Sequence, residues 1–154
     1  MQSLVNKIAP DFQLLATDGK LIQLQALKGR NLILYFYPKS NTPGCTKQAE
    51  YFRDHHADFA KFDAVVLGIS RDSLRSQQNF KAKYELPFDL LSDVEEQACR
   101  AYEVIQDKKL YGKMVRGIER STFLIDKNGL IRHEWRKVKV AGHIEELLQA
   151  LATL

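Results

Sequence analysis

Cys45 stands where a nucleophile would. It closes the segment Pro38-Lys39-Ser40-Asn41-Thr42-Pro43-Gly44-Cys45, which follows the apolar run from Asn31 to Tyr37 and precedes a helical pattern. This order places the thiol in the first turn of a helix, where unpaired backbone N–H groups and the helix dipole stabilise an anion. The thiolate is the nucleophilic form of cysteine, so the position favours chemistry at sulfur. The competing reading, a buried cysteine acting as a small hydrophobe, fits poorly with flanking Pro, Gly and Thr on a strand-to-helix turn. Thr42, three residues earlier, can bring its hydroxyl to the same side of that turn. Thr42-Pro43-Gly44-Cys45 also has the outline of a C-x-x-C motif whose attacking cysteine is replaced by threonine, and the other partner slot is Gln48. Disulfide-reductase chemistry is therefore disfavoured.

Other reactive residues are poorly placed. Cysteine hydrolysis assisted by histidine needs an imidazole beside the thiol. His55 and His56 lie along the same helical pattern, about 15 Å from Cys45 at a rise of about 1.5 Å per residue, and nothing marks His133 or His143. No Cys or His residues show metal-ligand spacing apart from the adjacent His55-His56 pair, and neither a metal nor a cofactor is expected.

The elements that must position Cys45 follow from pattern. Asp18-Gly19 signals a hairpin of residues 11–15 and 20–24. Asn31 to Tyr37 and Ala64 to Ile69 read as strands buried on both faces. A helix is expected from Pro43 or Gly44 to about Ala60, with Ala49, Phe52, His56 and Phe59 inward. Another should be capped at Asp72 or Ser73 and end near Tyr84. Phe88 to Leu91 forms a short strand, and Ser92-Asp93-Val94-Glu95 matches a capping pattern for a helix to about Tyr102. Residues 121–126 and 130–136 flank the turn Lys127-Asn128-Gly129, and a last helix from about Gly142 to Ala152 buries Ile144, Leu147, Leu148 and Leu151. Alternating strands and helices imply a mixed α/β sheet covered on both faces. The closing β-β-α points to a thioredoxin-like sheet with an N-terminal hairpin and a central insertion.

Composition narrows the class. The 154 residues, 45% of them hydrophobic, are expected to form one domain, 1–154, able to bury roughly 70% of the unfolded surface. Two cysteines cannot supply a disulfide framework. The longest apolar run, Leu32 to Tyr37, is far shorter than the roughly 20 residues of a membrane span. The start, Met1 to Lys7, lacks the apolar stretch of a signal peptide, so a cytoplasmic protein is expected. The net charge is +4, and Asp107 to Lys139 carries ten Lys/Arg against four Asp/Glu. Such a stretch could attract nucleic acid or another anionic partner. No nucleic-acid motif accompanies it, and neither nucleic-acid nor membrane binding is expected.

Pro38-x-x-x-Thr42-x-x-Cys45 resembles the active-site motif of the peroxiredoxins. The fuller string Phe36-Tyr37-Pro38-Lys39 with Thr42-Pro43-Gly44-Cys45-Thr46 resembles their bacterioferritin-comigratory, or Q-type, branch. Ala9-Pro10-Asp11-Phe12, Leu67-Gly68-Ile69-Ser70, Leu90-Leu91-Ser92-Asp93 and the run Gly117 to Asp126 extend the likeness over nearly the whole chain. The resemblance implies reduction of hydrogen peroxide and organic hydroperoxides, with Cys45 attacking the peroxide and becoming a sulfenic acid. It also implies that Thr42 hydrogen-bonds the peroxide, Pro38 shields the pocket from water, and Arg120 stabilises the thiolate and the leaving oxygen. A monomer is expected.

The chain departs from that branch in two places. The resolving cysteine that many members carry five residues after the first is Glu50 here, and Arg75 to Tyr84 contains no cysteine. Cys99 is the other cysteine, and a helical wheel centred on Val94, Ala98, Ala101 and Ile105 puts it about 120° off the buried face, as a boundary residue. The expected cycle is therefore one-cysteine, with thioredoxin, glutaredoxin or glutathione attacking the sulfenic acid. The alternatives are a two-cysteine cycle through Cys99 and a non-enzymatic redox or binding module. A glutathione-peroxidase-like enzyme is disfavoured because the single tryptophan, Trp135, falls in the late hairpin. Second, Tyr102-Glu103-Val104-Ile105 stands where the branch has Tyr-Gly-Val-Trp, which bears on substrate preference and contact surface.

Overall fold

Along β3 (Asn31–Phe36) every residue is buried, and alternate side chains enter two different cores. Ile33 and Tyr35 join one cluster, while Leu32, Leu34 and Phe36 join the other. This is the period-2 geometry of a strand covered on both faces. In the computed structural model, which describes residues 3–154 and only the backbone of Leu110, β3 lies near the middle of a seven-stranded sheet. Met1 and Gln2, part of the start read as lacking a signal peptide, lie outside the described residues.

The sheet contains β1 (Gln13–Ala16), β2 (Leu21–Gln23), β3, β4 (Ala64–Ser70), β5 (Leu90–Ser92), β8 (Ser121–Ile125) and β9 (Ile131–Arg136). Their order is β2-β1-β5-β4-β3-β8-β9, with β3, β4 and β5 mutually parallel and β8 antiparallel to β3. One face is covered by α1 (Pro43–Asp54), α2 (His56–Ala60), α3 (Leu74–Tyr84) and α5 (His143–Leu151), through Phe52, Phe59, Phe80 and Leu147. The other is covered by the amino-terminal segment, a 3-10 turn at Leu24–Leu27 and α4 (Gln97–Ala101), through Phe12, Leu24, Ala98 and Tyr102. At Gly68 a side chain would have its Cβ 2.8 Å from the Tyr35 ring and from Leu90. Only glycine lets that ring lie across β4, where it stacks on Phe52 of α1 at 4.5 Å between centroids.

Four expectations are corrected. The helix after Cys45 is not continuous to Ala60: His55 leaves the helical region, with φ −108° and ψ 14°, and divides α1 from α2. The helix expected from Asp93 is only Gln97–Ala101, because Glu96 adopts a left-handed conformation, φ 62°, and Asp93 Oδ2 accepts from the Cys99 N–H at 2.8 Å. The wheel for Cys99 therefore rests on a face partly defined by residues outside the helix, Val94 and Ile105. Val94 lies outside the helix and exposed, whereas Cys99 is 0% exposed, packed with Ala98 and Tyr102. The fourth concerns residues 103–120, for which pattern supplied no element. They form an antiparallel hairpin, β6 (Ile105–Leu110) and β7 (Lys113–Ile118), separate from the main sheet.

The Glu103 departure has a backbone consequence. Its φ is 54°, a left-handed value that glycine adopts without cost and a side chain does not. Arg136 Nη1 donates to the Glu103 carbonyl at 2.8 Å and Nη2 to the Tyr102 carbonyl at 3.1 Å, which hold this turn against β9.

Candidate active site

Pro43 opens α1 at N1, where its missing N–H costs nothing and its fixed φ is already helical. Cys45 thereby becomes the third helical residue, with its sulfur beside the end of β3. It is 2% exposed, in the same core as Tyr35 and Tyr37. Burial holds the hydroxyls of both tyrosines protonated, their pKa values pushed up by loss of solvent.

The loop from β3 to α1 is pinned from β4 and its following turn. The Tyr37 N–H donates to the Ile69 carbonyl at 3.0 Å, and the Tyr37 hydroxyl lies 3.1 Å from Ser40 Oγ. Asp72 Oδ2 accepts both the Ser40 N–H, at 2.8 Å, and the Ser70 hydroxyl, at 2.7 Å. Asn41 turns through a left-handed conformation, φ 65°, suited to asparagine. Thr42 is the N-cap residue, and its hydroxyl donates to the Lys39 carbonyl at 2.7 Å. A threonine hydroxyl has one proton, so towards a bound ligand Thr42 Oγ1 presents acceptor lone pairs.

The cation arrives from far along the chain. Phe36, the last residue of β3, pairs with Ser121, the first of β8, and Arg120 therefore emerges beside the loop that leads to Cys45. Its Nη2 donates to Cys45 Sγ at 3.4 Å and its Nη1 to Gln48 Oε1 at 2.6 Å. Gln48 is buried one turn after Cys45 on α1, so one guanidinium fork spans both. Arg120 is anchored at the backbone by the Val138 N–H, 3.0 Å from its carbonyl. Gly44 leaves the room: a Cβ there would stand 3.1 Å from Arg120 Nη2.

Of the four residues expected at the site, the tertiary structure joins Cys45 to Arg120 directly and sets Thr42 at the cap of the same helix. Pro38 lies exposed on the loop, and the hydrogen bonds that unite Cys45, Gln48 and Arg120 do not involve it. Gln48 and Gly44 contact the same guanidinium, and the motif reading gives neither a role: it treats Gln48 as an empty C-x-x-C slot. The available signal was helical spacing, since position 48 lies one turn from Cys45.

Cys99 lies elsewhere. Cys45 belongs to the core under α1 and Cys99 to the core on the opposite face of the sheet. Burial, together with the Asp93 carboxylate, pushes the Cys99 thiol well above its ordinary pKa. Above it, Glu96 receives Arg71, Arg100 and Arg116, and the Arg116 hydrogen bond foremost holds its carboxyl down to about 2. His143 is also buried, with Nε2 2.9 Å from Thr122 Oγ1 and Trp135 edge-on to its ring; burial lowers its pKa. Among the described residues no cluster of three or more His, Cys, Asp or Glu could hold a metal ion.

Residues 5–134 match the AhpC/TSA family model. The chain is 50% identical over 147 residues to peroxiredoxin Bcp of Bacillus subtilis, covering 96% of this chain and 94% of that protein. It is 48% identical over 141 residues to peroxiredoxin Bcp of Xanthomonas campestris, covering 92% and 88%. The solved structure of Xanthomonas campestris peroxiredoxin Q superposes with a TM-score of 0.88 at 47% identity, over 92% of this chain and 90% of that one. Another structure, at 46% identity and the same TM-score, concerns the alkyl peroxide reduction activity of the bacterioferritin comigratory protein from that organism. The chain accordingly has the thioredoxin-like fold and belongs to the AhpC/TSA family, as a thiol peroxidase of the peroxiredoxin Bcp/Q type.

Proposed function

We propose that Cys45 reduces hydrogen peroxide and organic hydroperoxides in a one-cysteine cycle completed by an external thiol. The observation that carries this reading is the hydrogen bond from Arg120 Nη2 to Cys45 Sγ within the first turn of α1. A permanent cation and an α-helix N-terminus both face the sulfur, and both interact more strongly with its thiolate than with its thiol.

In the first step the thiolate attacks the terminal oxygen of the hydroperoxide. The S–O bond forms as the O–O bond breaks, sulfur is oxidised by two electrons to the sulfenic acid, and the departing alkoxide or hydroxide takes up a proton. Thr42 Oγ1, its proton committed to Lys39, accepts from the peroxide O–H and orients it. The Arg120 fork, held by Gln48, donates towards the charge that develops on the leaving oxygen, the usual dominant catalytic contribution. Pro38 covers the mouth of the pocket from the loop. In the second step a thiol such as thioredoxin, glutaredoxin or glutathione attacks the sulfenic sulfur, releases water and leaves a mixed disulfide. The separation of Cys99 from Cys45 by the sheet supports an external thiol over an internal one.

We read the protein as a monomer. Among the described residues no helix is long and apolar enough to cross a membrane. Mass spectrometry after one equivalent of peroxide tests the reading. A sulfenic adduct at Cys45, absent from Cys45→Ser, is expected; an unmodified Cys45 thiol would refute it.

A further inference from the structure

The β6–β7 hairpin is basic and exposed. Residues 107–116 carry Lys108, Lys109, Lys113 and Arg116 against Asp107 alone. Arg116 is engaged with Glu96. The ion pairs formed by the described residues include none of the three lysines, all of which are exposed. Exposed apolar groups accompany them: Tyr111 at 96%, Met114 at 68%, and Val115. Tyr111 occupies the tip with φ 52°, followed by Gly112 at φ 78°. Both central turn residues are thus left-handed, which is costly for an aromatic residue. Folding of the chain does not account for a strained, solvent-exposed tyrosine between unpaired lysines. Tyrosine beside cations is a composition that protein interfaces favour.

The hairpin rises from the rim of the active site. After β7 ends, the Glu119 N–H donates to the Val104 carbonyl at 2.7 Å, and the next residue is Arg120, bonded to Cys45. On the other side, Arg71 Nη2 donates to the Arg116 carbonyl at 3.2 Å, while the adjacent Asp72 holds the Ser40 N–H of the loop leading to Cys45. The base of the arm is thus two residues from Arg120 in the chain and hydrogen-bonded, through Arg71, beside the turn that holds the Cys45 loop.

We propose that the hairpin is a docking arm for a protein dithiol reductant with an acidic surface, guiding it onto oxidised Cys45; the proposal rests on the peroxidase reading above. Cys99 is buried on the far face of the sheet, so the reducing thiol comes from outside, and Cys45 is almost wholly buried, so a protein reductant gains from docking that aligns its thiol with the sulfur. The lysines steer the acidic partner, and Tyr111 and Met114 supply apolar contact. The partner's thiolate attacks the sulfenic sulfur and the hydroxyl leaves as water after taking a proton. The partner's second thiolate then attacks its own first sulfur, releasing the Cys45 thiolate and carrying the disulfide away. Nucleic acid or an anionic membrane would also be attracted by lysines, but neither would explain why the arm ends two residues before Arg120, the cation on Cys45.

The test uses the full chain and the triple variant Lys108→Glu, Lys109→Glu, Lys113→Glu, with an acidic thioredoxin and dithiothreitol as alternative reductants. At low ionic strength, kcat/KM for thioredoxin should fall by about tenfold or more, within the range of electrostatic steering, and added salt should narrow the gap. Oxidation by hydrogen peroxide and turnover with dithiothreitol should stay at the level of the unmodified chain. Tyr111→Ser should lower thioredoxin turnover severalfold at every salt concentration. Unchanged thioredoxin kinetics in both variants would overturn the proposal, as would an equal loss with dithiothreitol, which would make the hairpin part of the pocket. Loss of binding to phosphatidylglycerol vesicles or to DNA with intact thioredoxin kinetics would overturn it in favour of those surfaces. Failure of the peroxidase reading looks different: the unmodified chain would consume no peroxide with either reductant.

Discussion

Arg120 lies 3.4 Å from the reacting sulfur, and the size of its contribution can be worked from that distance. With the charge centre of the guanidinium about 4 Å from the thiolate, Coulomb attraction at an effective dielectric near 20 is about 4 kcal/mol. Part of this serves the ground-state thiolate and part the transition state, where negative charge spreads from sulfur to the leaving oxygen. Removal of one preorganised donor from such a site costs about 10²–10³ in rate. Arg120→Met should therefore lower the second-order rate constant for Cys45 oxidation by about 10²–10³, read by stopped-flow peroxide consumption under single-turnover conditions. Arg120→Lys retains the charge, but a single ammonium cannot span Cys45 Sγ and Gln48 Oε1 as the guanidinium fork does. It should recover only part of the rate. An Arg120→Met rate within about threefold of the unmodified protein would refute the assignment of this cation to the reaction.

Gly44→Ala should place a methyl group only 3.1 Å from Arg120 Nη2, displace the guanidinium, and slow Cys45 oxidation by about tenfold, equivalent to about 1.4 kcal/mol, with thermal unfolding little changed. Cys99→Ser should sustain turnover with thioredoxin over many cycles; loss of turnover with one oxidation event preserved would defeat the one-cysteine cycle. Glu103→Gly should raise stability by about 1 kcal/mol in urea unfolding, by relieving a left-handed side-chain-bearing residue. The lowered pKa of Glu96 stabilises the fold fully above its ordinary value of 4.5, and that stabilisation is lost as pH falls through about 2. Glu96→Gln should remove this acid dependence in unfolding measured from pH 5 to pH 2. His143 acts with the same sign at higher pH: the neutral form is favoured in the fold, so stability is retained above 6.5 and falls below it.

How much was legible in the chain depends on the range of the interactions involved. The buried strands at 31–36 and 64–70 show as apolar runs, and the helix start at Pro43 shows as a proline at N1. The break at His55 carries no proline or glycine to announce it. The β6–β7 hairpin projects from the body without a buried face over most of its length, so it lacks the alternation that betrays a half-buried strand. Its turn, Tyr111-Gly112, is not one of the common hairpin pairs. Cys99 is buried against expectation because the wheel takes its centre partly from Val94 and Ile105, which lie outside the helix; within Gln97–Ala101, Ala98 and Cys99 both face the core.

By itself the sequence singled out the candidate nucleophile, because everything that marks Cys45 is local: a buried strand, a turn, and a helix that begins two residues before the sulfur. It also pointed to Thr42, within the same turn, and to Arg120 through a motif. The tertiary structure alone decided what surrounds the sulfur. The pairing of β3 with β8 brings Arg120 to a residue 75 positions away, and Gln48 and Gly44 acquire their roles only once the guanidinium has arrived. The same sheet sets Cys45 and Cys99 in separate cores. Helix starts and apolar runs are encoded in neighbouring residues, whereas which strands lie side by side, and hence which distant groups meet, is settled by the burial of whole faces against one another.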